Sequence, residues 1–277
     1  MTSPRFAVAT ATGRFYSVPG YEDVSHVSVT NIVGIMDKPA LSPWAAKLAG
    51  ERAVFQETEW HAIQQEKGDE AARKWISAAP REYGDYTCDL GSAVHFACEH
   101  FDKCEVTDDY NVVFDSWLLE RLTPFAERMA KHRDTTDKNI EHIRKHVCQF
   151  ARAIDEHGID ILVSELTVFD PEVGYAGTLD CIATIDGKTY VGDYKTGNLY
   201  PESYRLQLGA LRHAPLKVVG NKTTTQDIPI DGGFVLQLKP ASYNLVYAEC
   251  GEATYNAFLA AKQVWYWKHE ESKEGAG

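Results

Sequence analysis

The sequence predicts an α/β or α+β protein in which a helical region precedes a core of strands and helices. From Ser28 to about Glu156, apolar residues recur mostly at helical spacing. After Gly158 the pattern changes to short, β-branched and extended segments, which are typical of strands. These two patterns divide the 277-residue chain near its middle.

In the first half, residues 1–28 are predicted to be irregular, because glycine and proline interrupt every pattern there. A helix is predicted to begin at Ser42 as N-cap, with Pro43 in its first turn. A second helix is predicted near residues 70–79. Gly84 and Asp85 are predicted to break the chain before a helix that begins at Gly91. Two longer helices are predicted over 112–132 and 136–156, each with an apolar stripe.

In the second half, the sequence predicts strands over 161–169, 178–185 and 188–194. Asp186-Gly187 is a strong signal for a two-residue hairpin turn. The remaining predicted elements are a helix over 202–213, strands over 233–238 and 244–249, and a helix over 252–270. The chain is therefore divided into a helical region (1–157), a core (158–270) and a flexible tail (271–277), which together form one compact unit.

The composition limits the classes of function. The formal net charge of −12 argues against a protein that coats nucleic acid through bulk charge, but allows an enzyme with a small basic cleft. No apolar run approaches the roughly 20 residues that span a bilayer, and residues 1–18 carry no apolar signal core. We therefore expect a cytoplasmic protein with no membrane partner. The six cysteines form no C-x-x-C pair, so a zinc ribbon is not expected and most should be free thiols.

The hairpin turns predict a row of acidic side chains. If Asp186 and Gly187 form the turn, Asp180 lies opposite Asp193, and Lys195 shares their face of the sheet. A four-residue loop over 171–174 places Glu165 opposite Asp180. Adjacent carboxylates repel one another, whereas a divalent cation such as Mg²⁺ binds them well. The alternative is a solvated polar face on which Lys195 neutralises one acid.

These residues resemble a known family. Gly177-Thr178-Leu179-Asp180, then Asp193-Tyr194-Lys195-Thr196-Gly197, then a helix with Gln207, are similar to the PD-(D/E)XK nuclease superfamily. The D-Y-K-T-G segment looks like the RecB-like exonuclease branch, which also has a G-x-x-x-H motif on an upstream helix, as in Gly91 to His95. The resemblance covers about residues 91–211 and implies a restriction-endonuclease-like core with a central mixed sheet flanked by helices.

The resemblance implies a role for each matching residue. Lys195, Asp193, Asp180 and Glu165 would be the catalytic residues. One or two Mg²⁺ or Mn²⁺ ions would be held by His95, Glu165, Asp180, Asp193 and the backbone carbonyl of Tyr194. Gln207 would match the glutamine of the family's Q-x-x-x-Y motif and contact the substrate.

Two features depart from the family's pattern. Leu211 stands where the Q-x-x-x-Y motif has tyrosine, and Tyr204 on the same predicted helix could substitute for it. Only Cys250 follows Cys181, so the C-terminal cysteine triplet of some relatives is missing and no iron–sulfur cluster is expected.

Several weaker candidates surround this motif set. Glu99 could orient the His95 ring or be an exposed helix acid. Arg205 and Arg212 share the Gln207 helix and are predicted to contact phosphates. The basic residues of segment 120–147 favour a solvated helix surface over a phosphate-facing strip. Trp265 and Trp267 could stack on bases, although core packing or a subunit interface is the favoured interpretation.

The sequence thus predicts a metal-dependent DNA phosphodiesterase, most simply an exonuclease that acts on linear single- or double-stranded DNA in recombination, repair or phage DNA processing. Two alternatives stay open: a structure-specific endonuclease with the same chemistry, and a non-catalytic nucleic-acid-binding module of a recombination complex. A homo-oligomer or a recombination partner protein is compatible with each.

Overall fold

The computed structural model describes residues 4–274, with side chains described through His269. Within this range the helices are α1 (Val29–Val33), α2 (Leu41–Phe55), α3 (Glu57–Lys67), α4 (Asp69–Ser77), α5 (Ala79–Glu99), α6 (Ser116–Ala130), α7 (Thr136–His157), α8 (Pro201–His213) and α9 (Glu252–Glu274). None of these helices is long and apolar enough to cross a membrane.

The strands form one ten-stranded mixed sheet and one small hairpin. They are β1 (Ala7–Thr10), β2 (Gly13–Tyr16), β3 (His26–Ser28), β4 (Cys104–Val106), β5 (Val112–Phe114), β6 (Asp160–Asp170), β7 (Tyr175–Ile185), β8 (Lys188–Lys195), β9 (Leu216–Val219), β10 (Lys222–Thr225), β11 (Gly232–Leu238) and β12 (Tyr243–Ala248). The small hairpin is β4–β5.

The centre of the large sheet is an antiparallel meander, β6–β7–β8. After β8 the chain crosses over through α8 and returns as β11, which pairs parallel to β8. At the other end of β7, β3 pairs parallel to Tyr175 and Ala176. The long strand β7 therefore has β8 beside its C-terminal half and β3 beside its first residues.

Helices cover both faces of this sheet. One core cluster joins α5, α6 and α7 to a sheet face that carries Cys181, Ala183, Tyr194 and Leu236. A second cluster joins α1, α8 and α9 to the opposite face. The protein is thus an α/β fold with a mixed sheet between two helical layers, as the coarse class predicted from the sequence requires.

The predicted β7–β8 hairpin is confirmed. Ile185 pairs with Lys188, and the same register continues to Cys181 and Gly192. Asp186 and Gly187 both adopt positive φ, +50° and +74°, as a tight two-residue turn demands. The β6–β7 register also agrees with prediction, because Asp170 pairs with Tyr175.

The prediction that residues 1–28 are irregular is wrong for the described part of that segment. It forms β1, β2 and β3, and Gly13 at φ +128° starts β2 after a turn. Tyr16 is buried against Phe169 and Val218 in a third core cluster. The glycines therefore mark turns between short strands, and packing against β6 and β9 makes those strands ordered. Residues 1–3 lie outside the described residues.

Other boundaries also differ from prediction. Helix α5 passes through Gly84 and Asp85 and begins at Ala79, because its buried Tyr86 and Leu90 pack against the core and override the glycine. The N-cap of α2 is Ala40 rather than Ser42. Residues 112–114 are strand β5, and the short strands β9 and β10 were not predicted. Helix α9 includes residues 271–274 of the predicted tail, whereas 275–277 lie outside the described residues.

The proposed division at 157/158 stays a prediction. It is crossed by sheet pairing, since β3 of the first region pairs with β7 of the second. The helical layer α5–α7 likewise packs directly on the sheet.

A pair of glycine substitutions tests the packing between β8 and its neighbours. A Cβ at Gly192 would lie 2.4 Å from Cys181 Sγ and 2.4 Å from a ring carbon of Phe234, so Gly192→Ala should lower the free energy of unfolding by about 1–3 kcal/mol. A Cβ at Gly84 meets no atom within 4 Å, so Gly84→Ala should raise it by about 0.5–1 kcal/mol. Urea unfolding measures both; equal effects would contradict the packing described.

Candidate metal and phosphodiesterase site

The predicted site residues surround a cavity of about 780 Å³. It lies where β7 and β8 separate. The ladder between these strands ends at Cys181 and Gly192, one residue before Asp180 and Asp193. Beyond that point, the backbone N–H of Tyr194 donates a hydrogen bond of 2.6 Å to Asp180 Oδ2. A side chain thus replaces the backbone partner that β7 no longer offers, and the opened strands leave room for the cavity.

In both β6 and β7, the regular alternation of side chains between the two sheet faces is interrupted at this position. Val163 and Leu166 of β6 contact the same core cluster, and so do Leu179 and Ile182 of β7. Residues three apart on a regular strand point to opposite faces, so each strand is irregular between these residues. Glu165 lies in the irregular part of β6 with φ +50°, in the left-handed region.

This irregularity gathers metal-binding side chains. His95 on α5, Glu165 on β6 and Asp180 on β7 each offer one ligand atom, and these three atoms lie within 4.8 Å of one another. His95 Nδ1 is 3.4 Å from Asp180 Oδ1. All three residues are half-buried and line the cavity.

Asp193 lies beside this group in a second cluster. Its Oδ1 accepts hydrogen bonds from Lys195 Nζ at 2.7 Å and from Gln207 Nε2 of α8 at 2.9 Å. The side chain is almost wholly buried, and its Oδ2 has no hydrogen-bond partner. A buried carboxylate oxygen without a donor is costly unless a ligand supplies one.

Burial and neighbouring charges shift the pKa values of His95 and Glu165. Burial opposes protonation of His95, but Asp180 outweighs it and raises the histidine pKa to about 8. Burial raises the pKa of Glu165 to about 7, and the charges of Asp180 and Glu99 add to this effect. Without a cation, His95 and Glu165 therefore bind protons near neutral pH.

The two aspartates shift in opposite directions. Burial alone would raise the pKa of Asp180, but His95, Lys195 and the Tyr194 N–H stabilise its anion and lower it. Burial raises the pKa of Asp193, and Lys195 offsets only part of that effect. Burial opposes the charge of Lys195, yet Asp193 and Asp180 keep its pKa above the ordinary value, so the ammonium stays protonated.

The structure brings most of the predicted site residues together, although they are not arranged as a simple row. His95, Glu165, Asp180, Asp193, Lys195 and Gln207 all line the cavity. Asp193 bonds to Lys195 and Gln207 and is outside the three-donor group. Glu99 also lines the cavity; it is exposed and lies 3.7 Å from His100 rather than bonded to His95.

Other predicted residues are placed elsewhere. The Tyr194 ring is buried between His95 and Phe150 and does not line the cavity. The Tyr204 side chain is buried in the core with α1 and α9, so it does not replace the missing motif tyrosine in the cavity wall.

The predicted phosphate contacts of Arg205 and Arg212 need correction. Arg205 pairs with Glu249, and Arg212 donates to the carbonyls of Ile230 and Cys250; neither lines the cavity. These two residues point to the β11–β12 side of α8, whereas Gln207 points to the site. The helical period separates the two faces.

Sequence reasoning missed one wall of the cavity. Arg14 and Tyr16 of β2 and Lys217 of β9 line it, from strands that were not predicted. Tyr16 reaches β7 by a hydrogen bond of 3.3 Å between its hydroxyl and Thr178 Oγ1. The alternation in Arg14-Phe15-Tyr16 was the available signal, but it is too short to identify a strand by itself.

The donor set fits a divalent cation. Carboxylate oxygens with one imidazole nitrogen suit Mg²⁺ or Mn²⁺, and the partnerless Asp193 Oδ2 adds a further available oxygen. A cation would also reduce the mutual repulsion that raises the pKa of Glu165.

The backbone at Glu165 gives a stability test. Glu165→Ala and Glu165→Gly both remove the carboxylate, but only glycine adopts φ +50° without strain. We expect the glycine variant to be more stable than the alanine variant by about 1 kcal/mol in urea unfolding. Elsewhere in a regular strand glycine is the less stable of the two, so the reverse order at Glu165 would contradict the left-handed backbone.

The sequence was compared with protein-family models and with curated proteins, and neither comparison found a match. The residues and geometry of the cavity are therefore the basis for proposing a function.

Proposed function

We propose that the protein is a metal-dependent DNA phosphodiesterase, and most simply a RecB-like exonuclease of the PD-(D/E)XK type. The observation that carries the proposal is the single cavity that joins three converging metal-donor atoms to a buried Asp193–Lys195 pair. A structural ion pair alone does not need two further acids and a histidine beside it, because like charges held close together destabilise the fold.

The strand order supports the same proposal. The resemblance implies a central mixed sheet flanked by helices. The meander β6–β7–β8, the helix α8 and the parallel strand β11 are part of such a sheet and its helical layers. Asp180 comes from β7, Asp193 and Lys195 from β8, and Gln207 from α8, in the sequence order of the motif set.

His95, Glu165, Asp180 and Asp193 would hold one or two Mg²⁺ or Mn²⁺ ions, with the Tyr194 carbonyl as a further proposed ligand. When bound, such a cation lowers the pKa of a coordinated water and polarises a phosphate. The other parts of the proposed mechanism depend on the chain's own residues.

Lys195 supplies a positive charge at the cavity wall that is fixed before substrate arrives. Asp193 holds Nζ at 2.7 Å, and Gln207 holds the same carboxylate oxygen at 2.9 Å. Both bonds restrict the ammonium to one position, where it stabilises negative charge that develops on a scissile phosphate or orients the attacking water. Because its pKa is raised, Lys195 acts as a cation rather than as a base.

Hydrolysis of DNA tests the proposal directly. Purified protein with Mg²⁺ or Mn²⁺ should shorten end-labelled linear DNA, and Lys195→Ala or Asp193→Ala should lower the rate by about 100-fold or more. Lys188→Ala is the matched control, since it removes an exposed lysine at the other end of the same strand. It should retain full activity.

Two outcomes would contradict this reading. If wild-type protein degrades no linear single- or double-stranded DNA with either metal, the phosphodiesterase proposal fails. If it cuts covalently closed circular DNA as fast as linear DNA, the activity is that of an endonuclease.

The shifted pKa values predict opposite pH dependences for stability and for metal binding. Glu165 binds a proton more tightly when folded, with a pKa of about 7 against 4.5, so in EDTA its contribution to stability falls as pH rises from about 4.5 to 7. Mn²⁺ requires Glu165 ionised and His95 neutral, so Mn²⁺ affinity should rise from pH 6 to 9.

Chemical unfolding of wild type and Glu165→Gln, at several pH values with EDTA, measures the first effect as their difference. Titration calorimetry with Mn²⁺ measures the second. An Mn²⁺ affinity that is constant over this range would contradict binding at His95 and Glu165.

A further inference from the structure

Aromatic rings form one wall of the cavity. Phe96 of α5 and His100, the C-cap of that helix, both line it, and their ring centroids are 4.4 Å apart. Trp117 of α6 stacks behind them, at 6.3 Å and 18° to Phe96 and at 5.1 Å to His100. The guanidinium of Arg121 lies over the indole of Trp117 at 3.9 Å. All three rings are only half-buried, so this aromatic wall continues from the cavity to the surface of the protein.

A cationic side chain forms part of another wall. Arg14 of β2 lines the cavity and is half-buried. Among the described residues its guanidinium has no ion-pair or hydrogen-bond partner, whereas Lys217, on β9, pairs with Asp227. A partly buried guanidinium without an acidic partner favours an anion such as a phosphate.

The aromatic rings favour an unpaired strand over a duplex. Bases inside a duplex stack on one another and expose only their edges in the grooves. The bases of a single strand have exposed faces, which can stack on aromatic rings.

We propose that Phe96 and His100, with Trp117 packed behind them, form a base-stacking subsite for an unpaired polynucleotide strand, while Arg14 holds a phosphate of the same strand. This inference rests on the proposed function and deepens it. The cavity binds single-stranded ends and frayed termini, and the binding requires bases but does not depend on their sequence. The three donors and Lys195 line the same cavity as Phe96, His100 and Arg14.

Core packing is the competing explanation, since Phe96 and Trp117 also contact the core between α5 and α6. It explains why the rings are apolar. It does not explain why Phe96 and His100 line a cavity that also contains several acids and an arginine without an acidic partner. The two explanations differ in whether the rings contact a base.

Binding to strands with and without bases separates them. The full-length Lys195→Ala protein, with Mg²⁺, would be titrated by fluorescence anisotropy against three probes. These are a short oligodeoxythymidylate, an abasic strand of the same length, and a blunt duplex. We expect the thymidylate to bind most tightly. Adding Trp117→Leu or His100→Leu should weaken thymidylate binding about five-fold or more and leave abasic-strand binding unchanged.

Two further variants serve as comparisons. Trp267→Leu makes the same change at an exposed tryptophan of α9, outside the cavity, and should change no affinity. Arg14→Gln should weaken the thymidylate and the abasic strand equally, and reduce the salt slope of binding by about 0.7. His100→Leu leaves the tryptophan in the core, so the test holds even if Trp117→Leu is unstable.

The outcomes distinguish the subsite from the proposed function. If wild-type protein degrades DNA but the ring variants weaken both strands equally or neither, the stacking subsite is overturned and the phosphodiesterase proposal stands. Equal binding of duplex and single strand also overturns the subsite. If wild-type protein neither hydrolyses DNA nor binds any probe, both proposals fail.

Discussion

The hydrogen bond from the Tyr194 N–H to Asp180 Oδ2 is the interaction on which the site depends. It lets β8 leave β7 without stranding a backbone donor, and β8 remains fixed because β11 pairs with it on the other side as far as Lys195. The Asp180 carboxylate therefore lies at the point where the pairing of the two strands ends. Opening the sheet, orienting Asp180 and placing Asp193 and Lys195 beside it are consequences of the same contact.

This arrangement lowers the stability of the fold. Several carboxylates and a lysine are buried in one cavity, one carboxylate oxygen has no partner, and Glu165 has a left-handed backbone. Burial raises the pKa values of Glu165 and Asp193, which reflects this cost, whereas His95 and Lys195 stabilise the Asp180 anion and lower its pKa. Such a cluster is typical of sites that bind a cation, because the ion supplies the charge that the protein lacks.

The residues of the candidate site were easier to predict than the walls of its cavity. The Asp-Gly turn sets the register of β7 and β8, and that register alone predicts that Asp180 lies next to Asp193. Pairwise strand geometry cannot show where a ladder ends, so the separation at Gly192 was not predictable. Arg205 and Gln207 illustrate the other limit: two residues apart on one helix, they serve different surfaces. The N-terminal strands are too short to identify, because only packing against β6 and β9 makes them ordered.

The parallel pairing of β3 with β7 joins residues about 150 positions apart, and the whole helical layer α2–α7 lies between them in the chain. The first strands of the sheet therefore precede these helices in the chain, and the strand with which β3 pairs follows them. Closing so long a loop is slow compared with forming the β6–β7–β8 meander, whose turns are local. The cavity wall that carries Arg14 must therefore be added to a meander that already holds Asp180 and Asp193. A chain still emerging from the ribosome, with its first strands made and β7 not yet made, has no such cavity, so the cavity forms only after β7, β8 and α8 have been synthesised.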